Sequence, residues 1–151
     1  MSEFIPRDPA YAQRVRDSFA RQAAMVTIGA SLTEVSPGRA VIELDWAAHL
    51  TQQHGFLHAG MVGTALDSAC GYAGFTLMAA DAAVLTIEYK INLLAPAKGQ
   101  RFRMVGQVIK PGRTVTVAEG HAYALEDGRE KLVATMTCTL MALVGRADVV
   151  N

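Results

Sequence analysis

A single carboxylate lies inside a long apolar stretch of this sequence. The carboxylate belongs to Asp67, the stretch covers residues 61–80, and it follows directly after His58-Ala59-Gly60. Burying an unpaired carboxylate is costly, so Asp67 needs a reason to be there. A carboxylate can act as a general base or a nucleophile, and the free N–H groups at the start of a helix favour an oxygen that gains negative charge. These residue types together indicate chemistry at a carbonyl group.

The apolar stretch predicts a helix over residues 59–80, about 30 Å long at ~1.5 Å per residue. Its apolar side chains fall on every face, so the helix must be surrounded. A membrane span of ~20 residues is the alternative. The central Asp67, several glycines and the absence of Lys or Arg at either end of the stretch disfavour it. We therefore expect a buried core helix enclosed by a sheet.

Patterns of alternating residues predict strands on both sides of this helix. The turn Ser36-Pro37-Gly38 joins a strand around 27–35 to a strand that begins at Ala40, and both follow an outer helix that starts at Asp8-Pro9. One face of that outer helix carries Tyr11, Val15, Phe19 and Ala23. Later strands are predicted at 85–93, 101–110, 114–125 and 131–144, with side chains alternating strictly along the first of them. The expected fold is α+β, with an antiparallel sheet wrapped around the central helix in one domain, 1–151.

Composition narrows the possible functions. Of the 151 residues, 51% are hydrophobic, and 14 Lys and Arg balance 14 Asp and Glu, so no basic stripe indicates nucleic acid. Cys70 and Cys138 lie in apolar or strand patterns without CxxC or metal-ligand spacing. With no secretory signal pattern at the N-terminus, the sequence predicts a cytoplasmic protein that binds no metal.

The order of elements and the motifs resemble the hotdog-fold acyl-CoA thioesterases of the phenylacetate type, the PaaI-like family. The family pattern is an Asn, then Gly-x-x-His-Gly-Gly, then an Asp preceded by Leu. Here these positions hold Gln52, Gly55-Phe56-Leu57-His58-Ala59-Gly60 and Leu66-Asp67. Two residues depart from the pattern, since Gln52 replaces the Asn and Ala59 replaces the first Gly. Thr86 and the turn Lys110-Pro111-Gly112-Arg113-Thr114 are further similarities.

The resemblance implies hydrolysis of an acyl-CoA to a free acid and CoA, without a metal or an organic cofactor. The implied catalytic roles are Asp67 as base or nucleophile, the Ala59 N–H as oxyanion donor, Gln52 as orienter of water or thioester, His58 as a hydrogen bonder that fixes the loop, and Thr86 as a contact to water or thiolate. The implied substrate-binding residues are Gly60, Lys110, Arg113 and Thr114. Small residues along the helix favour medium-chain or aryl acyl groups.

Helix geometry adds a constraint on assembly. Asp67 follows His58 by nine residues, which places it about half a turn round the helix and ~13 Å further along. One helix cannot bring both residues to one carbonyl. The resemblance implies a site between two subunits, so we expect a homo-oligomer, a dimer or a dimer of dimers, with acyl-CoA as its partner and neither nucleic acid nor membrane.

Simpler roles remain open for each residue. His58 can be a structural histidine, Asp67 an assembly contact, Thr86 an ordinary strand residue, and Lys110 and Arg113 a solvated turn. A non-catalytic acyl-CoA-binding or sensing hotdog module is the main alternative function, and the departures at Gln52 and Ala59 permit it. A buried acid argues against a pure binder. A hotdog hydratase would need an Asp-x4-His motif, which the sequence lacks.

Overall fold

The computed structural model describes residues 4–149 and contains three α-helices and six strands in that range. The helices are α1 (Tyr11–Ala20), α2 (Ala23–Thr27) and α3 (Ala59–Phe75); the strands are β1 (Ser31–Ser36), β2 (Arg39–Asp45), β3 (Ala82–Leu93), β4 (Arg101–Lys110), β5 (Val115–Glu126) and β6 (Arg129–Val144). The strands form one sheet in the order β1-β2-β4-β5-β6-β3, and every neighbouring pair is antiparallel. The single-domain prediction includes positions 1–3 and 150–151, which lie outside the described residues.

Helix α3 packs against the inner face of the sheet, as the sequence predicts. It contacts β2, β4, β5, β6 and β3. Most of its residues are buried, but one stripe is not covered by the described part of the chain. The stripe consists of Gly60, Thr64, Asp67 and Gly71. The helix is thus enclosed on all sides except the one that carries Asp67, which corrects the expectation of burial around its whole circumference.

Helix α3 is also shorter than predicted, because it ends at Phe75 rather than at Ala80. The Arg14 guanidinium of α1 donates hydrogen bonds to the carbonyl oxygens of Phe75 and Met78, at 3.2 and 2.9 Å, and to that of Ala79. A longer helix would use these oxygens internally. Arg14 therefore ends α3 and attaches α1 to it.

The sheet approaches α3 closely at two glycines. A Cβ atom on Gly106 of β4 would lie 2.2 Å from the Ala69 carbonyl oxygen, and one on Gly120 of β5 would lie 2.8 Å from the Cys70 sulfur. Only glycine leaves room for this separation. No local sequence pattern indicates these contacts, since they depend on tertiary packing.

The N-terminal segment differs from the predictions. Helix α1 begins at Tyr11, because the Asp8 carboxylate accepts a hydrogen bond from the Ala10 N–H at 2.9 Å and closes a turn before the helix. Thr27 lies in α2, so β1 starts later than expected, at Ser31. Ala23 also belongs to α2 and is exposed, rather than extending the buried face of α1.

The later strands agree closely with the predicted bounds, and β4 matches them at both ends. In β3, however, a bulge between Thr86 and Glu88 interrupts the alternation. Thr86 pairs with Leu140 and Tyr89 pairs with Cys138, and both partners are buried against the helix. Opposed residues in an antiparallel pair share a face, so the bulge puts Thr86 and Tyr89 on the same side of the sheet. This corrects the strict alternation expected there.

No helix within residues 4–149 is long and apolar enough to cross a membrane.

At an edge of the sheet, β3 exposes a row of apolar side chains. They are Leu85, Ile87, Tyr89 and Leu93, each about half exposed. Such an edge provides unpaired backbone groups and apolar surface for association.

The close packing of α3 against β4 leads to a stability prediction. Gly106→Ala should lower the free energy of unfolding by about 1–3 kcal/mol, because its Cβ would meet backbone atoms that cannot rotate away. Gly63→Ala is the matched control: no atom lies within 4 Å of its Cβ, so an alanine in this helix should raise stability by about 0.5–1 kcal/mol. Urea unfolding at one fixed protein concentration measures both. Equal effects of the two substitutions would contradict the close approach.

Candidate active site

The loop before α3 is held by hydrogen bonds that fix the start of the helix. The His58 N–H donates to the Leu50 carbonyl oxygen at 2.9 Å, and the Leu57 N–H donates to the Ala97 carbonyl oxygen at 3.0 Å. His58 is the N-cap, and its Nδ1 accepts from the Gly60 N–H at 2.8 Å. One of the free N–H groups of the helix start is thereby used by the protein itself. Gly60 is not available as a second oxyanion donor in this arrangement.

Two hydrogen-bond donors remain near this helix start. The Ala59 N–H has no acceptor among residues 4–149. The Gln52 Oε1 accepts from the His54 N–H, which leaves the Gln52 Nε2 without a partner in the same range. Ala59 and Gln52 both line one cavity of about 500 Å³. Both groups lie near the positive end of the α3 dipole, where hydrogen-bond donors can stabilise negative charge.

The walls of this first cavity are largely apolar. They consist of Phe56, Leu57, Val62, Leu93, Leu94, Ala95, Pro96, Ala97, Val133 and Ala134. Leu93 and Leu94 are more than half exposed, so the cavity opens along the end of β3. It can accommodate a long, flexible group that continues into solvent.

Asp67 lies in a different cavity. The Thr86 hydroxyl donates to Asp67 Oδ1 at 2.8 Å, and the Cys138 thiol lies 3.8 Å from the same oxygen as a weak donor. The bulge in β3 brings Thr86 to this position. Both donors contact Oδ1, and Oδ2 accepts no hydrogen bond from the described residues. The carboxylate is therefore oriented through one oxygen, while the other is available to a water molecule or a substrate.

Two cysteines lie near Asp67, and Cys70 is not suited to act as a nucleophile. Both are buried free thiols. Hydrogen bonding with Cys138, together with burial, raises the pKa of the Cys70 thiol well above its ordinary value. A thiol is a poor nucleophile until it ionises. The Cys70 thiol is therefore unsuited to nucleophilic attack, and the acid that lines the neighbouring cavity is Asp67.

The cavity around Asp67 has a volume of about 330 Å³ and several polar walls. Its lining consists of Ser18, Gln22, Asp67, Ser68, Gly71, Tyr72, Val84, Leu85 and Thr86. Sequence reasoning missed Ser18 and Gln22, because nothing local indicates that α1 and the turn after it pack beside Asp67. It also treated Tyr72 as apolar, whereas its hydroxyl lies 3.2 Å from the Ser18 hydroxyl. Burial raises the pKa of Tyr72, so this hydroxyl stays protonated.

Within one chain, the predicted residues form two separate groups. Gln52 and Ala59 share the first cavity, Asp67 and Thr86 share the second, and no lining residue is common to both. Ala59 and Asp67 are ~12 Å apart along the helix axis, from the rise of ~1.5 Å per residue. One cavity thus holds the free N–H donors and the other holds the carboxylate.

The turn that carries the predicted substrate-binding residues Lys110, Arg113 and Thr114 lies elsewhere. Lys110, Arg113 and Thr114 are exposed, and Thr116 next to them packs against Gly74 near the C-terminal end of α3. The turn is therefore at the opposite end of the helix from Ala59.

Among residues 4–149, no group of three or more His, Cys, Asp or Glu side chains could hold a metal ion.

The fold agrees with known thioesterases. A crystal structure of a thioesterase family protein from Silicibacter pomeroyi is 60% identical, covers 89% of this chain and 99% of that chain, and superposes with a TM-score of 0.88. The PaaI protein of E. coli, from the phenylacetic acid degradation operon, is 19% identical, with a TM-score of 0.78 over 89% of this chain and 94% of that chain. The latter likeness concerns the fold, and it confirms the predicted hotdog arrangement.

Curated relatives match parts of the chain. A Saccharolobus solfataricus protein named as an esterase is 39% identical over 82 residues, which are 54% of this chain and 58% of that protein. The chain thus spans less than two thirds of that relative. A 1,4-dihydroxy-2-naphthoyl-CoA hydrolase of Listeria monocytogenes is 26% identical over 114 residues, 76% of this chain and 90% of the relative.

A family profile settles the classification. The profile of the thioesterase superfamily matches residues 54–131, which include the start of α3, Asp67 and Thr86. This range covers more than half of the chain and includes Ala59, although Gln52 precedes it. The chain therefore belongs to the thioesterase superfamily, a family of thioester hydrolases, as its sequence predicted.

Proposed function

We propose that the protein is an acyl-CoA thioesterase whose active site is completed by two subunits. The observation that carries this proposal is the division of the chemistry between two cavities. A free N–H at Ala59 lies in one, and a carboxylate oriented by Thr86 lies in the other. A dimer that places Asp67 of one subunit beside Ala59 of its partner would supply both groups to one carbonyl.

Two surfaces support a dimer. The edge strand β3 exposes Leu85, Ile87 and Tyr89, and its outer backbone groups have no neighbouring strand among the described residues. The uncovered stripe of α3 includes Asp67 and small residues such as Gly71, which permit close contact. Pairing two copies through these surfaces would cover apolar area and close a sheet edge.

In the proposed reaction, water attacks the thioester carbonyl carbon while Asp67 accepts a proton from it. The negative charge that develops on the carbonyl oxygen is stabilised by the Ala59 N–H and the Gln52 amide of the other subunit. The carbon–sulfur bond then breaks, CoA leaves as its thiol with that proton, and the free acid remains. Alternatively, Asp67 attacks the carbonyl carbon directly, the carbon–sulfur bond breaks and releases CoA as its thiolate, and water then hydrolyses the mixed anhydride to the free acid and the Asp67 carboxylate. Protein groups and water suffice for either route, so we propose that no metal or organic cofactor takes part.

The supporting residues have distinct proposed tasks. Thr86 holds Asp67 Oδ1, and His58 holds the loop through the Gly60 N–H, which makes both of them positioning residues. Lys110, Arg113 and Thr114 can serve the CoA phosphates only from a neighbouring subunit, since their own turn lies at the far end of α3.

The two cavities suggest how the substrate lies. CoA carries a large charged nucleotide that must remain in solvent, so its thiol arm fits the larger cavity, which opens at Leu93 and Leu94. The acyl group then enters the smaller cavity beside Asp67, between Val84, Leu85 and the Tyr72 ring. We propose medium-chain or aryl acyl groups as substrates. The CoA hydrolase from Listeria, which is named for an aryl substrate, supports the aryl choice.

Substituting the two key groups tests the mechanism. Asp67→Asn should lower kcat about 10²- to 10⁴-fold, because an amide can serve neither as base nor as carboxylate nucleophile. Ala59→Pro should lower it about 10²- to 10³-fold by deleting the N–H donor. Proline suits the first helical position, and His58 has the extended backbone that precedes a proline (φ −61°, ψ 138°), so the fold should persist.

Asp17→Asn, on the exposed face of α1, is the matched control for the acid-to-amide change and should retain full activity. Release of the CoA thiol measures the rates, and circular dichroism checks the fold. A folded Asp67→Asn protein with most of the parent kcat would overturn the mechanism.

A panel of acyl-CoA esters tests the substrate range. The value of kcat/KM should rise from acetyl-CoA to hexanoyl- or benzoyl-CoA, since each buried CH₂ contributes up to ~0.8 kcal/mol. Malonyl-CoA should be a poor substrate, because its carboxylate would approach Asp67. If kcat/KM were highest for acetyl- or malonyl-CoA, the proposed acyl-binding role of this cavity would be wrong. The proposal that the protein hydrolyses thioesters would still stand.

A further inference from the structure

The cavity beside Asp67 combines apolar walls with buried hydroxyl groups. Ser18 and Ser68 are each 8% exposed, and Tyr72 is 6% exposed. All three line this cavity, together with Gln22. A cavity that served only alkyl chains would not need buried polar groups, which cost free energy unless they are hydrogen-bonded. Their arrangement indicates that part of the acyl group is polar.

The hydrogen bonds among these residues leave donors available. The Ser68 hydroxyl donates to Gln22 Oε1 at 3.2 Å, so the Gln22 oxygen is occupied, and its Nε2 has no acceptor among residues 4–149. The Ser18 and Tyr72 hydroxyl oxygens are 3.2 Å apart, so one hydroxyl donates a hydrogen bond to the other. The hydroxyl that accepts keeps its own hydrogen free to donate. The cavity therefore offers N–H and O–H donors to an acceptor atom.

The charge of the cavity limits that acceptor to a neutral group. No Lys, Arg or His lies among its lining residues, while the Asp67 carboxylate does. An anionic acyl group would be repelled by Asp67, and no cation of the lining could pair with it; the guanidinium of Arg21, which partly offsets the raised pKa of Tyr72, lies outside that lining. A hydroxyl or carbonyl oxygen fits both the donors and the charge.

The polar wall is held in place relative to Asp67. Gln22 lies between α1 and α2, and Arg14 of α1 donates to three carbonyl oxygens at the end of α3. Arg14 also lies over the Phe75 ring, 4.3 Å from its centre. The distance between Gln22 and the α3 carboxylate is thereby restrained, as selective recognition requires.

We propose that Gln22 and the Ser18–Tyr72 pair determine specificity for acyl groups that carry a neutral hydrogen-bond acceptor at their distal end. This inference rests on the proposed thioesterase function and refines it. Medium-chain or aryl groups with a hydroxyl or carbonyl substituent are the matching class. Val84 and Leu85 contact the apolar part of such a group, and Gln22 with the Ser18–Tyr72 pair contacts its polar end.

The test compares hexanoyl-CoA with 6-hydroxyhexanoyl-CoA, which differ only in the distal hydroxyl. The parent should hydrolyse the hydroxylated ester at least as efficiently as the plain one. Gln22→Leu should lower the ratio of the two kcat/KM values about 2- to 12-fold, the range for one neutral hydrogen bond. Tyr72→Phe should lower the ratio similarly, and it keeps the ring contact with Phe19 at 5.9 Å between centres.

Gln13→Leu is the matched control, because Gln13 is an exposed residue of α1 that bonds only to Asp17 among the described side chains. It should leave the ratio at the parent value. Should Gln22→Leu fail to fold, Tyr72→Phe gives the result by itself. Unchanged ratios in folded variants of a parent that hydrolyses both esters would overturn this inference alone. A parent that hydrolyses no acyl-CoA would overturn the proposed function and this inference with it.

Discussion

The burial of α3 within the curve of the sheet is the constraint on which the rest of the structure depends. An apolar helix needs cover on most of its surface, and β4 and β5 provide it at close range through Gly106 and Gly120. Arg14 then ends the helix at Phe75 and attaches α1 beside it. The described residues, 4–149, leave the stripe with Asp67 uncovered. The packing that stabilises the fold thus also determines which face of α3 remains accessible.

Two local irregularities adapt this fold to a site. The bulge in β3 turns Thr86 toward the helix, where its hydroxyl holds Asp67. At the start of α3, His58 uses the Gly60 N–H and leaves that of Ala59 free. Gln52 replaces the asparagine of the family pattern, yet its oxygen is bonded within the loop and its amide nitrogen remains available. The departures from the family pattern at Gln52 and Ala59 therefore keep hydrogen-bond donors at both positions.

Much of the fold could be predicted because its signals are local. Pro111 and Gly112 interrupt the pattern after β4, and Asp127 and Gly128 adopt the positive φ values of a tight hairpin turn, 49° and 74°. The bulge at Thr86 could not be predicted, since the alternation in the sequence continues across it. Likewise, Ser18 and Gln22 became part of the site only through tertiary packing. The separation of Asp67 from His58, at the start of the helix, did follow from the sequence, because helix geometry alone dictates it.

The central claim is that each active site takes Ala59 from one subunit and Asp67 from the other, and subunit mixing tests it most directly. Asp67→Asn and Ala59→Pro chains, each nearly inactive alone, are unfolded together and refolded at equal concentrations. Half of the dimers should be hybrids, each with one intact site and one doubly substituted site, so about a quarter of the parent activity should return. Hybrid dimers, identified by distinct affinity tags, that show no recovered activity would contradict the account and place both groups in the site of a single chain.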